Sequence, residues 1–220
     1  MQADTIINAI IEQGMLPLFY NNSAEVSIEI TRTLYNEGIR VIEYTHRGSE
    51  AFNNFKKLKA VRDAEMPDLY LGIGTIRNKP EALDYVSAGT DFIVAPIVNP
   101  IVATIASTTN TPWIPGCMTP SEINQAQNYQ AKLIKIFPAN ILGPEFIASI
   151  KDLFPGQLFI PTGGVSIEAE NIKSWFKSGV CSVGMGSKLL SKDIMENKDY
   201  AELSKRTRLA MEIIRDNRNP

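Results

Sequence analysis

Residues Ser87–Pro96 read SAGTDFIVAP, and this stretch contains the joint from which the fold follows. Gly89 ends a helical segment at a point where glycine accepts a left-handed turn most readily. The run DFIVAP follows at once, continuously apolar in the manner of a strand buried on both faces of a parallel sheet. The same joint recurs at Gly14 (EQGML), Gly38 (NEGIR) and Gly179 (KSGVC). Working outward, strand-like runs start at Met15, Ile39, Leu69, Asp91, Pro112, Lys132, Leu158 and Val180, which makes eight. Segments of helical period separate them. Between Ser23 and Asn36, residues Val26, Ile30, Thr33 and Leu34 fall on one stripe behind Ser23 as N-cap. Thr119 and Pro120 open a further helix, and Pro144 plays a similar role before EFIASIKDL.

Eight strand-then-helix units predict an α/β protein, and the count fits a (β/α)8 TIM barrel better than an open doubly wound sheet. An extra N-terminal helix with Ile6, Ile7, Ile10 and Ile11 is placed to plug the barrel's lower mouth. A last helix, from about Tyr200 to Arg215, carries Leu203, Leu209, Ala210 and Ile213 at helical spacing. No Ser/Gly-rich linker divides the chain, so residues 1–220 read as one domain.

Composition narrows the function. A formal net charge of −2 gives no electrostatic case for nucleic acid or an anionic membrane as partner. No apolar run approaches the roughly 20 residues that span a bilayer, and the start lacks the cationic region of a secretory signal. Cys117 and Cys181 lie in apolar segments without metal-ligand spacing, as expected of buried thiols in a reducing cytoplasm. His46 is the one histidine, too few imidazoles for a transition-metal site, so no metal is expected; no organic cofactor is expected where a lysine of the chain supplies the electrophile itself.

In a barrel, function sits at the C-terminal ends of the strands. Two ionisable residues interrupt strands near those ends: Glu43 in RVIEYT and Lys135 in KLIKIF. Burial between Leu133, Ile134, Ile136 and Phe137 disfavours the charged form of Lys135 and yields the neutral amine that attacks a carbonyl. Glu43 is a general acid/base candidate. A structural ion pair between them would explain the same residues. Two glycine loops, PTGGVS from Pro161 and GMGS from Gly184, each read as leading from a strand into a helix, a setting in which backbone N–H groups approach an anion. Tight turns alone are the alternative.

Five motifs occur in order: IEYTHRG, GIGTIRNKP, PWIPGCMTPSE, IKIFPA and PTGGVS. In these the chain resembles the bacterial 2-keto-3-deoxy-6-phosphogluconate / 4-hydroxy-2-oxoglutarate aldolases, from about Met15 to Leu189. The resemblance implies a class I aldolase that cleaves a 2-keto acid to pyruvate and an aldehyde, with Lys135 as the Schiff-base lysine and Glu43 as its acid/base. It implies that Arg47 and Thr75 hold the pyruvate carboxylate, that Pro96 and Phe137 shape its pocket, and that Gly163, Gly164 and Ser187 meet a phosphate. It also implies a homotrimer. His46 reads as a loop residue or a support behind the site. The chain departs from the family at Tyr20 and Asn21, where a basic residue is often found, and at Lys188, where an apolar one is frequent. Both departures bear on the far end of the substrate. A sugar-phosphate isomerase or epimerase would share the phosphate loops but need other catalytic groups. A silent keto-acid or sugar-phosphate binding protein would have no need of a desolvated amine.

Overall fold

The structure is a computed structural model that describes residues 2–218. Helices and strands alternate in the order α1 (Gln2–Gln13), β1 (Met15–Phe19), α2 (Ala24–Asn36), β2 (Val41–Thr45), α3 (Ala51–Glu65), β3 (Tyr70–Gly74), α4 (Lys79–Ser87) and β4 (Ile93–Val94). There follow α5 (Pro100–Thr108), β5 (Trp113–Ile114), β6 (Gly116–Cys117), α6 (Pro120–Asn128), β7 (Leu133–Ile136) and α7 (Ala139–Ile150). The chain closes with β8 (Leu158–Pro161), α8 (Ala169–Ser178), β9 (Val183–Met185), α9 (Lys192–Asn197) and α10 (Tyr200–Asn217). No helix among the described residues is long and apolar enough to cross a membrane.

The local signals act as their chemistry requires. The Ser23 hydroxyl accepts from the Val26 N–H at 3.3 Å and starts α2. Thr119 and Glu122 form a reciprocal capping box on α6, with Pro120 in its first turn. Gly14, Gly38, Gly89 and Gly179 all adopt positive φ at the expected joints. Pro144 resumes α7 after a break at Gly143, whose φ of 71° and ψ of 169° interrupt the helix.

The strands pair in parallel, in two sheets rather than one. Six follow the order β5-β4-β3-β2-β1-β9 and three the order β6-β7-β8. The fifth expected strand is split, because Pro115 has no N–H to donate and divides it into β5 and β6. The Pro115 carbonyl still accepts from the Lys135 N–H at 2.8 Å. A single parallel bridge, Thr162 with Gly184, joins the end of β8 to β9.

Alternation along these strands makes two hydrophobic clusters. Met15, Phe19, Ile42, Tyr44, Leu71, Ile73, Ile134, Ile136 and Phe159 face outward into one with the surrounding helices. Leu16, Val41, Phe92, Val94, Ile114, Leu133 and Ile160 belong to the other, together with Ile6, Ile7 and Ile10 of α1. The N-terminal helix therefore packs on the inner side of the curled sheets, with Ile11 only partly buried. On α10 the buried stripe is Leu203, Thr207, Ala210 and Ile214. Leu209 is 46% exposed, which corrects the expected stripe. The register runs through a threonine, whose hydroxyl bonds the Leu203 carbonyl at 2.8 Å and so enters the core satisfied.

One buried side chain ties the lower ends together. Gln13 donates to the carbonyls of Met15 (2.5 Å) and Val41 (2.9 Å). Its Oε1 accepts from the N–H groups of Arg40 (2.6 Å) and Val41 (3.0 Å). An apolar substitute strands these backbone groups at a cost of about 1–3 kcal/mol for each one left unsatisfied. Gln13→Leu should thus lower the unfolding free energy in urea by about 2 kcal/mol or more; a change within about 0.5 kcal/mol would show that the four bonds are dispensable.

Candidate active site

The inward positions of the strands carry two ionisable groups. Glu43 pairs in register with Leu18 of β1 and Gly72 of β3. Lys135 pairs with Gly116 of β6 and Ile160 of β8. Their strands lie in different sheets, yet the Lys135 Nζ is 4.0 Å from the Glu43 Oε1. The two side chains meet across the interior. Glu43 is 1% exposed and Lys135 6%.

Neither carboxylate oxygen of Glu43 has a hydrogen-bond partner in the described structure. A separation of 4.0 Å exceeds a direct hydrogen bond and lies at the outer limit of an ion pair. Burial pushes the Glu43 carboxyl above its ordinary range, opposed by the positive charges of Lys135 and Arg47. Burial pulls the Lys135 ammonium below the ordinary lysine value; Glu43 resists this and Arg47 reinforces it. Both directions favour the neutral acid and the neutral amine, since desolvation penalises two buried charges that few hydrogen bonds complete.

The space for Glu43 is made by Gly74. A Cβ there would fall 1.8 Å from Oε1 and 2.6 Å from the carboxyl carbon. Gly116, beside Lys135, sits so close to the Pro96 carbonyl that a Cβ would lie 2.5 Å from its oxygen. These two glycines escape a reading based on ionisable groups. Glycine inside a strand is the signal that could have flagged them.

The other sequence-predicted residues fall around this pair. The Phe137 ring centroid is 5.1 Å from the Lys135 Nζ. Pro96 adjoins Gly116 as described. Arg47 is exposed just past β2 and acts electrostatically on both buried groups. Thr75, directly after Gly74, has a φ of 67°, a strained value for a β-branched residue and a frequent mark of a functional position. His46 turns elsewhere: its Nδ1 lies 2.9 Å from the Tyr85 hydroxyl.

The glycine loops need a correction. Gly163 and Gly164 have φ of 103° and 76°, but α8 begins only at Ala169. GMGS runs into a turn in which the Leu189 and Leu190 N–H groups both bond the Gly186 carbonyl, and α9 begins at Lys192. The left-handed Gly163–Gly164 pair cannot continue directly into a right-handed helix, and GMGS passes from β9 into a turn, so these are loop backbones rather than helix starts. Ser187 and Lys188 are exposed on the second loop, and Lys188 enters no ion pair among the described residues. After β1 the Tyr20 hydroxyl proton and the Asn21 and Asn22 side-chain oxygens are already engaged. The Tyr20 hydroxyl donates to Asn22 Oδ1 at 2.6 Å, and Asn21 Oδ1 accepts from the Ser23 N–H at 2.9 Å.

A hollow of about 160 Å³ at the opposite end is lined by residues including Ile7, Ala106, Trp113, Tyr129 and Lys132. Its one charged side chain, Lys132, is paired with Asp4, so it holds nothing comparable to the Glu43–Lys135 pair. Among the described residues no three His, Cys, Asp or Glu side chains gather into a metal-holding group.

Comparison with known proteins decides the family. Residues 6–206 match the family model described as KDPG and KHG aldolase. The chain belongs to the KDPG and KHG aldolase family. It is accordingly a class I aldolase, a carbon–carbon lyase. The 2-dehydro-3-deoxy-phosphogluconate aldolase of Dickeya dadantii (strain 3937) is 30% identical over 201 residues, covering 91% of this aldolase and 90% of the relative. A solved 4-hydroxy-2-oxoglutarate / 2-dehydro-3-deoxyphosphogluconate aldolase from TTHB1 superposes with a TM-score of 0.81 at 28% identity, over 95% of this chain and 98% of that one. The Legionella pneumophila KDPG aldolase, captured with pyruvate as a covalent carbinolamine, shares the fold with a TM-score of 0.85 at 23% identity, over 96% and 98% of the two chains.

The close approach at Gly74 gives a direct test of the aldolase's geometry. Gly74→Ala must displace the Glu43 carboxylate, and misplacement of about 1 Å is worth about 10²-fold in rate. Keto-acid cleavage should fall by about that factor while the circular dichroism spectrum is retained. Undiminished cleavage would mean that the carboxylate's position is unimportant.

Proposed function

We propose that this aldolase cleaves a 2-keto-3-deoxy sugar acid, 6-phosphorylated by first choice, or 4-hydroxy-2-oxoglutarate, to pyruvate and an aldehyde through a Schiff base on Lys135. The observation that carries the reading is the buried Lys135 amine 4.0 Å from a carboxyl group whose oxygens have no other partner. The neutral amine adds its lone pair to the C2 carbonyl, and a proton passes from the nitrogen to the carbonyl oxygen to give a neutral carbinolamine. Glu43 donates the proton with which that hydroxyl leaves as water, and an iminium remains. The Glu43 carboxylate then takes the C4 hydroxyl proton, and the C3–C4 bonding pair moves into the iminium, which releases the aldehyde and leaves an enamine. Protonation at C3 and addition of water return pyruvate and the free amine. Every charge change is met by the protein's own pair.

Arg47 offers a two-pronged fork to the pyruvate carboxylate, with the strained Thr75 beside it. Pro96 and Phe137 wall the pocket. Gly163, Gly164 and Ser187 take the far end. The Tyr20 hydroxyl proton and the side-chain oxygens of Asn21 and Asn22 are engaged within their own loop, whereas Lys188, exposed on the loop after β9, is a cation outside any ion pair among the described residues. That distribution favours an anionic far end over a neutral one. The Thr162–Gly184 bridge and the continuity of β5 with β6 through Pro115 support reading the two sheets as one closed (β/α)8 barrel. A single domain, a homotrimer and a cytoplasmic setting complete the proposal.

Borohydride added in the presence of pyruvate should fix an irreversible adduct on Lys135, located by peptide mass mapping. Lys135→Ala should abolish both adduct and cleavage. Glu43→Gln, which keeps shape but moves no proton, should slow exchange of the pyruvate methyl hydrogens by about 10²–10⁴-fold. An adduct on another lysine, with cleavage surviving in Lys135→Ala, would overturn the mechanism.

A further inference from the structure

We infer that Asn140 is a specificity-determining residue that reads a hydroxyl group on the aldehyde half of the substrate. The inference rests on the Schiff-base reading above, with the far end of the substrate at Gly163 and Gly164. Asn140 follows the strand that carries Lys135, separated from it by Phe137, Pro138 and Ala139. A Cβ built on Gly163 would lie 3.2 Å from the Asn140 Oδ1, and one built on Gly164 would lie 2.6 Å from the Asn140 Cβ. The Ala139 N–H bonds the Thr162 carbonyl at 2.9 Å, which clamps the two loops together. The amide thus stands beside the glycine pair at one end and on Lys135's own loop at the other.

A chain bound covalently at Lys135 and anchored at Gly163–Gly164 passes this amide with its middle carbons. Those carbons bear hydroxyls in a sugar acid. Asn140 is exposed, and its side chain enters no hydrogen bond among the described residues, so both its acceptor and its donors are uncommitted. The surrounding turn is held on both sides of Asn140's loop contact: the Ala139 N–H bonds the Thr162 carbonyl, and the Thr162 N–H bonds the Ile136 carbonyl at 2.9 Å. Close packing of loop on loop, made possible by two glycines, delivers one free amide to one point. Glycine serves here to bring Asn140 near, as well as to expose backbone N–H groups.

The test uses Asn140→Ala, which retains the Cβ that packs on Gly164 and removes only the amide. Three readouts are compared in the full-length enzyme: hydrogen exchange at the pyruvate methyl, cleavage of 4-hydroxy-2-oxoglutarate, and cleavage of a 2-keto-3-deoxy sugar acid phosphate. The aldehyde released from the second is glyoxylate, which has no further hydroxyl to read. We expect exchange and 4-hydroxy-2-oxoglutarate cleavage to stay within about twofold, while kcat/KM for the sugar acid falls by about fivefold to tenfold, the worth of one neutral hydrogen bond. Equal losses on both cleavage substrates, or no loss on either, would overturn the assignment. Absence of pyruvate exchange in the unsubstituted enzyme would instead refute the Schiff-base reading on which it rests.

Discussion

Taking an ammonium out of water is expensive, and around Lys135 the interior offers little in return. The carboxyl group opposite stands 4.0 Å away with its own oxygens unsatisfied, and the Phe137 ring centroid lies 5.1 Å from the amine. A buried pair with so few supporting hydrogen bonds does not recover the hydration of two ions. Burial therefore shifts both groups toward the neutral amine and acid, the forms that can add to a carbonyl and then supply a proton. Stability is sacrificed locally, and reactivity is the consequence. The cost is tolerable only because a large core surrounds it on both faces of the strands.

The strand period of two makes this arrangement possible. Outward side chains such as Ile42, Tyr44, Ile134 and Ile136 anchor β2 and β7 under the helices. Inward neighbours Val41 and Leu133 pack with Ile6, Ile7 and Ile10 of α1, which fill the lower interior. Glu43 and Lys135 occupy the next inward positions above that apolar layer. Water is thereby kept from below, and approach is left to the strands' C-terminal ends. Gly74 then leaves room for the Glu43 carboxyl, and Gly116 lets the strand before Lys135's come close to the Pro96 backbone.

Much of this was legible in the sequence, because its signals are local. Gly14, Gly38, Gly89 and Gly179 marked the helix-to-strand joints, and Glu43 and Lys135 stood out as charges inside apolar strands. What stayed hidden was relational. Nothing local says that β2 and β7 face each other, that Gly74 exists for Glu43, or that Gly164 packs on Asn140. The split of β5 from β6 was readable at Pro115, but an apolar run masked it. Leu209 was misplaced because a satisfied threonine, Thr207, holds the buried stripe instead. The glycine loops were extended into helices that begin several residues later, since loop length leaves no periodic trace.

The fold by itself would serve other chemistries; the proposed account stands or falls on the protonation state of one amine. The most direct measurement is a nitrogen NMR titration of the Lys135 Nζ, assigned by comparison with Lys135→Met in protein labelled at lysine. Burial predicts deprotonation well below the ordinary lysine value of about 10.4, and a further fall in Glu43→Gln, which removes the one group holding the proton on. Titration at the ordinary value, unmoved by Glu43→Gln, would contradict the account.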